Sequence, residues 1–296
     1  MEVIRTVAAL RARCDAARGT GARVVLVPTM GALHEGHAAL LRRAREVGDL
    51  VVLSIFVNPL QFGDAADLAA YPRDETADLA LAEGLGVDVA FVPTAEEVYP
   101  DGGAETVDPG PIGEHLEGAS RPGHFRGVAT VVRRLFDAVG PCVAVFGEKD
   151  AQQVAVIRRM IGTRGLPVAL VVHPTVRERD GVARSSRNAR LSPADRAAAG
   201  CLFLALGEAA ALVRAGERDA RRLVAAMARE IGATPEARLD YAAVVDEDTF
   251  EEIARIDRPA RAVVAARFGD VRLIDTLALP LPVDPRTRSP GRRSVG

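Results

Sequence analysis

Two histidines stand three residues apart in Met30-Gly31-Ala32-Leu33-His34-Glu35-Gly36-His37, directly after the apolar run Val24-Val25-Leu26-Val27. A strand that turns into a helix there would place both imidazoles on one face of its first turn. Helix starts carry unpaired N–H groups and a positive dipole end, so they favour phosphate. The imidazoles could donate hydrogen bonds to a triphosphate and to charge that develops as it is cleaved. Gly36 would let such a ligand approach the backbone. Two other readings stay open: zinc ligation, for which His-x-x-His lacks a third ligand, and a purely structural pair.

The basic residues point to a second place. Of 38, only Lys149 is lysine; the other 37 are arginine. A position that stays lysine in such a chain is expected to need a compact ammonium rather than a planar fork. Lys149 sits in Gly147-Glu148-Lys149-Asp150-Ala151-Gln152-Gln153, again between an apolar run and a helical pattern. The segment resembles a minimal phosphate loop without the GxxxxGK[ST] pattern. Lys149 would meet phosphate, and Asp150 could simply cap a helix. Asn58, Gln61, Gln152, Gln153 and Asn188 belong to other sparse types, and they too fall in short segments. Asn58-Pro59-Leu60-Gln61 presents an amide past a strand end, although Asn-Pro is also ordinary turn chemistry. Arg184-Ser185-Ser186-Arg187-Asn188 offers hydroxyls and guanidinium groups suited to polyphosphate, or a solvated basic loop.

Elements that could position these segments alternate through the first ~175 residues. Strands are expected at Val24–Val27, Leu50–Val57, Val87–Val92, Cys142–Phe146 and Val168–Val172. Helices are expected over 37–47, 74–83, 126–138 and 150–161. Continuously apolar strands alternating with helices predict a parallel sheet covered on both faces. Ligands on such sheets bind at the carboxyl ends of strands, near a switch in strand order. After ~176 the pattern changes to two Ala-rich helices (193–215 and 218–232) and strands near 239–246, 261–268 and 271–277. The expected fold class is therefore α/β: a Rossmann-like domain over 1–175, then a smaller α+β lid domain over 176–280. Residues 281–296, rich in Pro, Arg and Ser, are expected to be a disordered tail.

Bulk composition narrows the classes. A net charge of −2 argues against nucleic-acid binding. Cys14, Cys142 and Cys201 are far apart and show no metal spacing, so they suit buried thiols in a reducing compartment. Arginines interrupt the N-terminal segment, no apolar run approaches the ~18 residues of a membrane span, and a cytoplasmic location is expected.

The four strings Val27–His37, Phe56–Phe62, Phe146–Gln153 and Ser185–Asn188, in this order and spacing, resemble the pantoate–β-alanine ligase family of the nucleotidyltransferase superfamily. The resemblance implies ATP-dependent condensation of (R)-pantoate with β-alanine through a pantoyl adenylate, releasing AMP and pyrophosphate. It implies that Met30, Gly31, Ala32, Leu33, His34, Glu35, Gly36 and His37 contact ATP, with His37 as proton donor. Gly147, Glu148, Lys149 and Asp150 would close on the nucleotide with Arg184, Ser185, Ser186 and Arg187, and Val176 would meet adenine through its backbone. His34 and Lys149 join His37 as expected catalytic residues, on the phosphate side. Gln61 and Gln153 would hold pantoate. Mg²⁺ would arrive with ATP, no metal would be held by the chain alone, and a homodimer is implied. Neutral amides suit pantoate, because an arginine clamp would stabilise the carboxylate in the ground state and blunt its attack. One departure stands out: the family usually has Leu or Met where this chain has Arg184. Two rivals remain: a nucleotidyltransferase for phosphorylated substrates, which would need more cations, and a nucleotide-binding module without catalysis.

Overall fold

The computed structural model describes residues 1–63 and 65–280, with the backbone alone for 65–67. The expected tail at 281–296 lies outside the described residues. Among these, six strands make one parallel sheet: β1 Glu2–Ile4, β2 Val24–Thr29, β3 Leu50–Ile55, β4 Val89–Phe91, β5 Cys142–Gly147 and β6 Val168–His173, in the order β1-β4-β3-β2-β5-β6. Alternate residues of β2 serve opposite faces. Val24 and Leu26 pack with helices Val7–Gly19, His124–Val139 and Ala151–Arg164, while Val25 and Val27 pack with helix Glu35–Val47. Both faces are covered, so the strands carry apolar runs instead of alternation, as the sequence indicates.

β1 and the helix Val7–Gly19 escaped the sequence pattern. A three-residue edge strand is too short to show a period, and that helix has a weak apolar stripe interrupted by arginines. The second unit is a three-stranded antiparallel sheet, β7 Ala237–Asp246, β8 Ala260–Phe268 and β9 Val271–Leu279. Helices Cys201–Arg214 and Ala220–Gly232 cover it, with a separate core. The single helix expected over 193–215 is broken at Ala199-Gly200 into Pro193–Ala198 and Cys201–Arg214. The stretch Pro193–Arg214 is nonetheless long and apolar enough, by composition, to cross a membrane, which corrects the expectation that no such stretch exists. Here Leu202, Ala205, Leu206, Ala209 and Val213 are buried in the core of the small unit.

The two units touch through packed and polar contacts. Ala243, Val245, Phe250 and Val263 of the small unit extend the core beneath the parallel sheet. Arg272 pairs with the buried Glu117, whose carboxylate also accepts from the Tyr241 hydroxyl at 3.1 Å.

The turn after β3 is held by backbone approach. Helix His124–Val139 crosses so closely that a Cβ on Gly127 would lie 2.2 Å from the Leu60 carbonyl oxygen and 2.6 Å from the Gln61 nitrogen. Gly127→Ala should therefore cost about 1–3 kcal/mol. Urea unfolding should show it, together with weaker binding of whatever Gln61 holds.

Candidate active site

The strand order reverses between β2 and β5. The chain leaves β2 through a helix on one face toward β3, and leaves β5 through a helix on the other face toward β6. The carboxyl ends of these neighbours bring Met30–His37 beside Gly147–Gln153 around a cleft of about 230 Å³. It opens toward a wider space of about 690 Å³ between the two units, and Lys149, Gln153, His124 and Arg187 border both.

His34 caps helix Glu35–Val47. Its Nδ1 accepts from the Gly36 N–H at 3.1 Å, and His37 Nδ1 accepts from the His34 N–H at 3.3 Å. The rings stack with centroids 4.1 Å apart. Each Nδ1 is an acceptor, so in the neutral ring the proton sits on Nε2, which is left to donate. Both rings are neutral at pH 7. Burial, then the charges of Lys149 and Arg184, pushes His34 down to about 4. Burial, then His34, pushes His37 down to about 3. Two expectations change. At the helix start the rings take up two backbone N–H groups, those of Gly36 and His34, so imidazole N–H groups stand there in their place. And at neutral pH the pair supplies donors without positive charge.

The glycines serve the turn more than the ligand. A Cβ on Gly36 would meet the His34 ring at 2.8 Å, so this glycine lets the ring fold back over the helix. Gly31 has φ +79° and Ala32 φ +50°. This strained turn is pinned by the buried Asp78, whose carboxylate accepts from Ala32 N at 2.9 Å and Leu33 N at 2.7 Å. Gly31, Ala32 and Leu33 thus form the back of the turn, and their side of it does not border the cleft. Glu35 points outward and pairs with Arg42 at 2.6 Å. Of the eight residues expected here, Met30, His34, Gly36 and His37 line the cleft.

Across the switch, Gly147, Lys149 and Asp150 line the cleft. Lys149 Nζ lies 3.5 Å from Asp150 Oδ1. Asp150 stands at the head of helix Ala151–Arg164 but makes no capping hydrogen bond with its side chain. Burial works against its ionisation, yet Lys149 and Arg187 outweigh burial and hold its pKa below the usual carboxylate range. Glu148 departs from expectation. Its carboxylate turns away from the cleft to Arg261 (2.9 Å) and the Thr175 N–H (3.3 Å).

Gln61 is oriented by Asn58, which is 1 % exposed. Asn58 Nδ2 donates to Gln61 Oε1 at 3.0 Å, and Asn58 Oδ1 accepts from the Tyr99 hydroxyl at 2.7 Å. The Gln61 amide nitrogen therefore points at the cleft, 2.9 Å from Met30 Sδ. The adjacent glutamines split: Gln153 borders the cleft, while the buried Gln152 ties down the Ile112 and His115 carbonyls and the Glu117 N–H.

Val176, Arg184, Ser185, Ser186 and Arg187 line the far wall. The Arg184 N–H donates to the Val176 carbonyl at 2.9 Å, and its guanidinium lies 3.8 Å from the Glu178 carboxylate. Its backbone shapes the wall while its charge is drawn sideways.

Sequence reasoning missed Asp78, Tyr99, Arg121 and His124. Histidine is sparse enough here that His124 could have been flagged; a lone Asp or Tyr among many could not. His124 faces the Gln61 carbonyl through Nδ1 at 2.9 Å and Arg121 through Nε2 at 3.2 Å. A carbonyl only accepts and a guanidinium only donates, so the neutral ring carries its proton on Nδ1. Burial, then Arg121, pushes its pKa down to about 4.

A match to the family described as pantoate-beta-alanine ligase runs over residues 2–278. The chain belongs to this family. It carries out the ATP-dependent condensation of pantoate with β-alanine. It is 52% identical over 279 residues to the pantothenate synthetase of Roseiflexus castenholzii, covering 94% of this chain and 99% of that one. The enzyme of Syntrophotalea carbinolica is 49% identical over 275 residues, covering 93% and 97%. The crystal structure of pantothenate synthetase from Thermus thermophilus matches with TM-score 0.88 at 47% identity, over 95% of this chain and 100% of that one. The Francisella tularensis ligase, solved with β,γ-ATP and β-alanine, matches with TM-score 0.76 at 31% identity, over 94% and 97%.

The depressed histidines set a pH dependence. An unfolded chain protonates them near their ordinary 6.5, whereas the fold holds His34 and His124 at about 4 and His37 at about 3. Between pH 6.5 and about 3 the unfolded state therefore binds more protons. The stability these rings contribute is complete above 6.5 and is lost as pH falls through that window. In ring NMR spectra of the enzyme without substrates, all three should stay neutral down to about pH 5. Midpoints near 6.5 would contradict the assignment.

Proposed function

We propose that ATP lies across the switch point with its triphosphate between the histidine pair and Lys149, and its adenine on the backbone of Val176 and Arg184–Ser186. The observation that carries this reading is the pairing of two Nε2–H donors on one loop with the chain's single lysine ammonium on the next. Arg187 and Asp150 belong to the same phosphate side. Pantoate lies against Gln61 and Gln153, with its carboxylate toward the α-phosphate. A carboxylate oxygen attacks that phosphorus, the bond to the bridging oxygen breaks, and pyrophosphate leaves with its charge met by Lys149, Arg187 and the imidazole donors. The β-alanine amine then attacks the acyl carbon, AMP leaves, and the amine gives up a proton.

His37 enters as a neutral hydrogen-bond donor. Proton donation by it requires the bound triphosphate to raise its pKa. Magnesium comes as part of the nucleotide substrate, held by phosphate oxygens and water, with the Asp150 carboxylate the acidic group at that end of the cleft. The small unit, taken from residue 176, serves as a lid that keeps water from the acyl adenylate. We further read the enzyme as a cytoplasmic homodimer without nucleic-acid or membrane partners. Three buried, unpaired cysteines support the compartment, and the half-exposed apolar strand β6 at the sheet edge supports the partner.

Exchange of labelled pyrophosphate into ATP, with pantoate present and amine absent, tests the adenylate step. Exchange should depend on pantoate; exchange without it, or none at all, would reject the reading. In the same assay Lys149→Arg should lose about 3 kcal/mol of transition-state stabilisation, roughly a hundredfold in rate, with the fold intact. Gln61→Ala and Gln153→Ala should instead raise the pantoate requirement and leave ATP binding unchanged by direct titration. Near-normal turnover of Lys149→Arg would show that the ammonium is dispensable.

A further inference from the structure

Glu148 precedes Lys149 in the turn Glu148–Asp150 yet has no place in the cleft. Its Oε1 accepts from Arg261 Nη2 at 2.9 Å and its Oε2 from the Thr175 N–H at 3.3 Å. Arg261 lies on β8 of the small unit and is 4 % exposed. It also grips Glu247 through two bonds of 3.0 and 2.9 Å and reaches Thr276 Oγ1 at 3.3 Å. Thr276 follows Asp275 on β9, and Asp275 holds Arg177 through two bonds of 2.6 and 2.9 Å. Arg177 is next to Val176 and also donates to the Gly181 and Thr276 carbonyls. Its backbone pairs with Ala183, just before Arg184–Arg187.

One polar chain, Glu148–Arg261–Thr276–Asp275–Arg177, buried at Arg261, Thr276 and Asp275, thus runs from the turn that carries Lys149 to the loop that carries Val176 and Arg184–Arg187. Its middle lies on strands of the small unit. The Lys149 turn and the far wall of the cleft are thus tied to the same two strands. Buried charges that are fully paired are rigid, and breaking one partner exposes the other to an uncompensated environment. Long arginine side chains are ordered here because each has several acceptors in fixed places.

We propose that Glu148 and Arg261 are positioning residues for adenylate formation: the pair fixes the Lys149 turn to the small unit, so that the ammonium and the loop Val176–Arg187 are set against one triphosphate together. The small unit is then a frame for the phosphate site as well as a cover over it. The inference rests on the assignment of Lys149 to phosphate given above.

The test is a double-mutant cycle of Glu148→Gln and Arg261→Gln, read by pantoate-dependent pyrophosphate exchange, with Lys149→Arg alongside. Glu148→Gln keeps the shape and the bond from Thr175, and its unfolding by urea reports whether the fold survives. Displacing a catalytic group by a fraction of its diameter costs roughly ten- to a hundredfold. The expected result is a fall of at least about tenfold in the exchange rate at saturating ATP for Glu148→Gln, with the pantoate KM unchanged. The double variant should be no slower than the slower single variant, because both remove one link. Glu148→Gln within twofold of the parent enzyme would overturn the proposal. So would additive losses, which would mean that Glu148 and Arg261 act separately. If Lys149→Arg retains near-normal exchange, the phosphate assignment itself falls, whatever the cycle shows. If Lys149→Arg is inactive while Glu148→Gln is normal, only the positioning role falls. Should Arg261→Gln fail to fold, Arg261→Lys, which keeps the charge but loses the fork, takes its place in the cycle with the same criteria.

Discussion

Strands β2 and β5 lie side by side, and the chain leaves them toward opposite faces of the sheet. No connection crosses the gap between their carboxyl ends, so the two loops there face each other across open space. The phosphate site proposed above depends on that gap. One loop brings two imidazoles, the other brings Lys149, and neither has to be buried in the core to do so. β2 pairs with β3 along its whole length but with β5 only at Val25 and Leu26, so the two strands are free to part toward their carboxyl ends.

The electrostatics of the cleft are arranged by burial and mutual influence. Lys149 and Arg184 push His34 toward neutrality, and His34 does the same to His37. The result is a division of labour: the positive charge is concentrated in lysine and arginine, while the imidazoles keep directed N–H donors. Their orientation is settled by the helix they cap, since each Nδ1 is spent on a backbone N–H. The proposed pantoate side is built the opposite way, with neutral amides. Gln61 is turned by Asn58, and Asn58 by Tyr99, so a phenol in the core decides which end of an amide faces the cleft. In the proposed binding mode the amides orient a carboxylate while withdrawing less charge from it than a guanidinium clamp would.

Much of this was legible in the chain itself. Apolar runs alternating with amphipathic stretches determined the doubly covered parallel sheet, and the break in that pattern the separate small unit that follows it. The scarcity of lysine, asparagine, glutamine and histidine marked Lys149, Gln61, Gln153 and the His34–His37 turn, because a biased composition leaves rare types where chemistry holds them. Loops directly after strand ends told where these residues would gather. Tertiary structure alone decided what each neighbour does. Glu148 and Glu35 share motifs with cleft residues yet point away from the cleft, because a turn sends successive side chains in different directions. Gln152 and Gln153 are adjacent and serve different ends for the same reason. Tyr99 reaches Asn58 from 41 residues away and Arg261 reaches Glu148 from 113, and common residue types carry no signal at such range. Sequence periodicity reports which face of an element is buried. Which buried polar atom meets which is set by packing between elements distant in the chain, and that exists only in the folded molecule.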